Sequence, residues 1–199
     1  IGEVVHGLGE VLLNPRLPVM FFIGFVSYAA VLTVLGLWGA PYLHDVHGLG
    51  LMARGNVLAV MTVALAIGFV TFGPLDRIFD TRKWVTLAGG AGTVVVLGLL
   101  ALLPQPPLWL VTVLFAALAF LNGFSVTAFA HGRTIFPDRL MGRGLTMLAL
   151  STFIGVAFMQ TATGPIVGAF EQPDGIVAAA GYRWMFASIA ALVALALLF

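Results

Sequence analysis

The chain contains no cysteine. That excludes disulfides, thiolate metal sites and thiol nucleophiles, and leaves the redox compartment open. Charge is almost as scarce: Asp, Glu, Lys and Arg make up 9% of the 199 residues, against roughly 25% in a soluble domain. Too few charges remain to cover a water-exposed surface of this size. The net charge of +1 points to no polyanionic partner, and nucleic acid is not expected. Neither His-x-x-x-His nor Gly-x-Ser-x-Gly occurs, so those metal- and serine-hydrolase patterns are missing and an enzyme is not expected. The alternating strands of a membrane β-barrel, each of about ten residues, are missing too.

Apolar sequence is what the chain has in abundance: 61% of residues are hydrophobic and the mean hydropathy is +1.10. This reads as an integral membrane protein. One polar stretch, Gly73 to Lys83, holds five of the seventeen charged residues, and the runs on either side, Val57–Phe72 and Trp84–Leu103, hold none. A charged turn between two such runs is the signature of a membrane hairpin. Six runs are predicted to span the membrane as helices, at about 17–40 (ended by Pro41), 54–72, 84–103, 108–130, 144–170 and 182–199. Each is long enough to cross a hydrocarbon core of ~30 Å. Residues 1–16 mix Glu3, His6, Glu10 and Arg16 with apolar residues and read as an interfacial lead-in or a plain linker. The chain starts at Ile1 with no signal-peptide pattern, and is expected to be a segment of a longer protein. His44 and His47 share a polar loop without a third strong ligand, so a solvated loop is the plainer reading than a metal site.

Orientation follows from the basic residues. Arg16, Arg77, Arg82, Lys83, Arg133, Arg139 and Arg143 fall on one side of the six-span topology, and only Arg54 and Arg183 on the other. Basic residues collect on the cytoplasmic side, so both termini are expected there.

The sequence also repeats. Leu51-Met52-Ala53-Arg54-Gly55 returns as Leu140-Met141-Gly142-Arg143-Gly144, and Lys83-Trp84 is echoed by Arg183-Trp184. Each copy opens the corresponding span of a set of three. Three is odd, so the copies are expected to lie on opposite faces of the membrane. That predicts an all-α membrane fold of two inverted three-helix repeats, about 17–103 and 108–199, an arrangement common among secondary transporters.

On these residues the chain resembles the major facilitator superfamily over its whole length. Gly73, Leu75, Asp76, Arg77, Arg82 and Lys83 are similar to that family's loop between the second and third spans of a half, with Phe79 where the family has its second glycine. Phe136-Pro137 before Gly142-Arg143-Gly144 resembles the loop before its eleventh span. Leu37-Trp38-Gly39-Ala40-Pro41-Tyr42-Leu43 resembles the end of its seventh. The resemblance implies spans seven to twelve, the C-terminal half-domain (residues 1–199) of a twelve-span transporter. It implies alternating access, a solute cavity lined by the first two spans of each triplet, and three partners: the lipid bilayer, an N-terminal six-helix half and a small solute. No cofactor or metal is implied, and the expected location is a bacterial inner (plasma) membrane.

In the family, Asp76 would meet the N-terminus of the span that starts near Gly144, beside Arg143, when the protein is open to the outside. A carboxylate there gains about 0.3–1 kcal/mol from the helix dipole, and an arginine adds a charge-assisted bond. Gly73, Asp76, Arg77, Arg82 and Arg143 are therefore the candidate gate residues, against the alternative of ordinary solvated loop charges. The candidate cavity residues are the polar groups near mid-depth: Tyr28, Thr62, Asn122 and Gln160, with Ser27 and Ser125 nearby. An amide in lipid needs a partner, so Asn122 and Gln160 are expected to face the bundle interior. Hydroxyls can satisfy themselves on their own helix. No ionisable group lies at mid-depth, so this half offers no proton carrier. Arg54 sits near the end of its span, which argues against an anion site built on it. The competing reading is a non-transporting membrane scaffold or sensor, which predicts that no cavity exists.

Overall fold

The computed structural model describes residue 13 and residues 17–133 and 136–198; its side-chain description excludes Asp76, Arg77, Arg82, Ala128 and residues 131–133. Six helices in it are long and apolar enough to cross a membrane, and among the described residues there is no strand, only an isolated bridge between Glu171 and Val177. The chain reads as an integral membrane protein of six helical spans. The lead-in expected at 1–16 lies outside the described residues apart from Leu13.

Span one consists of α1 (Leu17–Thr33), a π turn (Val34–Trp38) and α2 (Gly39–Asp45). It runs through Pro41, where the sequence pointed to a stop. The π turn resets the hydrogen-bond ladder, with Gly39 N–H bonded to Val34 O. Pro41 then falls in the first turn of α2, where a missing N–H costs least. Gly48, with φ of 64°, closes the turn after α2 in a left-handed conformation that suits a residue without Cβ.

Span two is α3 (Leu51–Phe72), followed by the four-residue α4 (Leu75–Ile78) in the charged turn. Asp80 takes a left-handed φ of 47°, and the Thr81 side chain caps span three, α5 (Arg82–Leu102), by accepting from Trp84 N. Leu103 is extended, as a residue before proline must be.

Span four is broken, where one continuous helix was expected over 108–130. α6 (Leu108–Leu121) stops at Asn122, and α7 (Phe124–Arg133) restarts after Gly123. The break sits at a close crossing: a Cβ on Gly123 would strike the Gly68 carbonyl, and a Cβ on Gly68 would strike the Phe120 carbonyl. After a short 3₁₀ turn (Asp138–Leu140), span five is α8 (Met141–Gly168) and span six is α9 (Ala179–Ala196).

Lipid tails are as apolar as leucine, so these helices are held by close packing and hydrogen bonds rather than by hydrophobic transfer. Three packings dominate: α1 on α8, α3 on α6, and α5 on α9. Span one therefore packs on five, two on four, and three on six. The first pair is close at Gly155, where a Cβ would strike the Phe25 carbonyl.

Two rims can be traced. At one, Asp45 and Tyr182 are hydrogen-bonded and Arg183 Nε donates to Ala101 O at 2.7 Å, so the ends of spans one and three meet the start of span six. At the other, Leu17 packs with Phe136, Leu140 and Leu148, and Thr127 Oγ1 donates to Phe72 O at 3.4 Å. The second rim carries Lys83, Arg139 and Arg143 and is called the basic rim below; the first is the far rim.

Candidate functional site

A cleft of about 630 Å³ opens on one flank of the bundle. Its walls are Tyr28 of α1, Phe69 of α3, Ser125, Val126, Phe129 and Ala130 of α7, and Leu145, Ala149, Thr152 and Phe153 of α8. Spans one, two, four and five line it, and spans three and six contribute nothing. The lining of α3 comes from its end, that of α8 from its first half, and that of span four from beyond its break. The cleft therefore occupies the half of the bundle nearer the basic rim.

In the far half two hydrogen bonds join spans one and five. Trp38 Nε1 donates to Thr163 Oγ1 at 2.8 Å, and Gln160 Nε2 donates to Leu32 O at 3.5 Å, just ahead of the π turn. Span one is thus tied to α8 in the far half, while the two helices frame the cleft in the near half.

The candidate cavity residues divide. Tyr28 and Ser125 line the cleft, and the Tyr28 ring stacks on Phe69 with centroids 6.3 Å apart at 29°. Asn122 is 2% exposed and its amide nitrogen has no hydrogen-bond partner. It sits at the break of span four, one turn before Ser125. Gln160 is half-buried and spends its amide on the Leu32 carbonyl. Ser27 is buried and bonds its own helix at Gly24 O, 3.4 Å away. Thr62 is exposed, bonds Leu58 O of its own helix at 2.9 Å and is not among the lining residues of the cleft. Phe69, Phe129, Thr152 and Phe153 are among the lining side chains that were not candidates from the sequence. The usable signal was position: all four lie in the spans that carry Thr62, Ser125 and Gln160, in the halves nearer the basic rim.

Of the candidate gate residues, Gly73 caps the end of α3 with its N–H on Phe69 O, and Arg143 is half-buried in the first turn of α8. The side chains of Asp76, Arg77 and Arg82 lie outside the described residues.

The far rim holds a second polar cluster. Asp45 Oδ2 accepts from Tyr182 Oη at 2.5 Å and from Val177 N at 3.3 Å, and Asp45 Oδ1 lies 2.8 Å from His44 Nδ1. His47 lies beside it with Nε2 buried and unpartnered, and burial holds its pKa below the ordinary value. Among the described residues no three His, Cys, Asp or Glu stand together as a metal site. The Asp45 cluster acts as a structural tie between span one, span six and the loop before it. No protein-family model and no curated protein matches the chain.

Proposed function

We propose that this chain is one half of a secondary transporter of the major facilitator kind, moving a small solute across a membrane by alternating access. The observation that carries this reading is the cleft. It is lined by the first two helices of each triplet and spares the third, as a solute path at a repeat interface requires. It opens on a flank, where a second six-helix half would complete it.

Three further features support the inverted repeat. Exchanging spans one, two and three for four, five and six turns the one-on-five packing into four-on-two and leaves three-on-six unchanged. Each of the first two packings is closest where a glycine of one triplet's second span meets a phenylalanine carbonyl of the other's first: Gly68 on Phe120, and Gly155 on Phe25. Arg54 and Arg143, the two copies of the Arg-Gly motif, begin helices that start from opposite rims.

Spans two and five are the least covered, with 28% of each apolar window buried against 39–56% in the other four. They flank the cleft and are the surfaces the other half would take. With the basic rim in the cytoplasm of a bacterial inner membrane, the chain is open to the inside. Asp76, on the turn after span two, then latches to the first turn of α8 beside Arg143 in the opposite state, and Asp76→Asn slows transport without unfolding the protein.

The scaffold reading predicts polar groups consumed in helix contacts and no cleft, and the open volume beside Tyr28 and Ser125 weighs against it. The test is uptake by the full-length protein in vesicles against a panel of metabolites. Saturable uptake that Phe153→Trp blocks is expected; no uptake of any solute would favour the scaffold.

A further inference from the structure

The lining of the cleft also speaks to what it holds, and this step rests on the transport reading. Four aromatic rings, Tyr28, Phe69, Phe129 and Phe153, face the space, and no described lining residue carries a charge. Hydrogen-bonding capacity is small. Thr152 Oγ1 donates to Leu148 O at 3.3 Å and keeps only an acceptor for a solute. Tyr28 Oη and Ser125 Oγ form no hydrogen bond among the described residues, so they are the two free hydroxyl donors of the described lining.

Each candidate solute class meets this wall differently. An anion would lose hydration against ring faces that are themselves negative, with no cation among the described lining residues to replace the water. A cation would gain ring attraction, but no described carboxylate lines the cleft, and the ring quadrupoles return only part of what hydration supplied. A sugar brings several hydroxyls to a wall that offers three hydroxyl oxygens, only two of them with a free proton, and each unanswered group is left desolvated. An uncharged ring system has none of these costs. It stacks on the Tyr28–Phe69 pair and Phe153, and one hydroxyl or carbonyl reaches Ser125 and Tyr28.

We infer that the cleft binds an uncharged solute with an aromatic body and one or two polar groups. The test uses the full-length protein in detergent, with saturable binding measured over empty micelles for naphthol, naphthalene sulfonate, naphthyl trimethylammonium and glucose. Naphthol is expected to bind at least about tenfold more tightly than the other three. Phe153→Ala, whose side chain is largely exposed within this half, is expected to weaken it about tenfold. Ser125→Ala and Tyr28→Phe each weaken naphthol several-fold and leave the melting temperature unchanged.

Tighter binding of the sulfonate, the ammonium or glucose overturns the proposal, as does naphthol binding that none of the three variants alters. If naphthol fails to bind while the protein still takes up a hydrophilic solute, the proposal falls and the transport reading stands. If nothing binds and nothing is taken up, both fall.

Discussion

Trp38 and Thr163 join span one to span five through a single hydrogen bond of 2.8 Å, at the last residue of a π turn. Thr163 gives its own proton to its helix, with Met159 O at 2.7 Å, which leaves the hydroxyl oxygen free to accept. The indole is thereby fixed across the helix pair that opens into the cleft further along. Trp38→Phe keeps most of the ring packing and removes only the donor. A loss of about 0.6 kcal/mol is expected, the usual worth of a hydrogen bond between membrane helices. Thermal unfolding in detergent measures it.

Gly155 and Gly98 make a matched pair for the close-packing argument. A Cβ on Gly155 would run into the Phe25 carbonyl, which is backbone and cannot step aside; a Cβ on Gly98 meets nothing within 4 Å. Gly155→Ala is expected to cost about 1–3 kcal/mol by overpacking. Gly98→Ala is expected to be neutral or slightly stabilising. Equal melting temperatures for the two variants would mean that the one-on-five contact is looser than described.

Asp45 and Tyr182 test the far-rim tie through an asymmetry. Asp45→Ala leaves the fully buried Tyr182 hydroxyl and the Val177 N–H without their acceptor, a loss of about 1–3 kcal/mol. Tyr182→Phe removes the donor and leaves Asp45 its bonds to Val177 and His44, so it costs less. The expected order of melting temperatures is wild type, Tyr182→Phe, then Asp45→Ala.

The six apolar runs, the polar turns and the poverty of spans three and six in polar groups were all legible in the sequence, because lipid leaves a backbone only helices or a closed barrel and the runs are too long and too uniformly apolar for barrel strands. Boundaries shifted by up to five residues. Thr81 capped α5 early, and the π turn carried span one through Pro41 to Asp45. The break at Asn122–Gly123 was hidden because its cause is the Gly68 backbone, far away in the chain. Hydrophobicity marks Tyr28, Ser125 and Thr62 alike as polar groups within spans, but it could not say that Tyr28 and Ser125 line the cleft and Thr62 does not. The face each one takes depends on how the helices pack.

His47 makes stability depend on pH. Burial holds its imidazole neutral with a pKa below the ordinary 6.5, whereas the unfolded chain takes up the proton near that value. The folded state binds fewer protons, so stability rises with pH. It is fully present above about 6.5 and declines as pH falls through that value. His47→Gln should flatten the pH dependence of the melting temperature between about 7 and 5.

The lack of cysteine in this chain, with any cysteine elsewhere in the full-length protein replaced by serine, permits the most direct test of the central claim, that the spans leave two opposed rims and a cleft reached from the basic one only. Single cysteines at Gly48, Gln105 and Gln172 would report the far rim, Asp80 and Asp138 the basic rim, and Phe153 the cleft. The full-length protein in intact cells would be treated with a membrane-impermeant maleimide. Labelling is expected at Gly48→Cys, Gln105→Cys and Gln172→Cys in intact cells, and at Asp80→Cys, Asp138→Cys and Phe153→Cys only after the membrane is opened. Labelling of far-rim and basic-rim positions from the same side, or no labelling of Phe153→Cys from either side, would contradict the account.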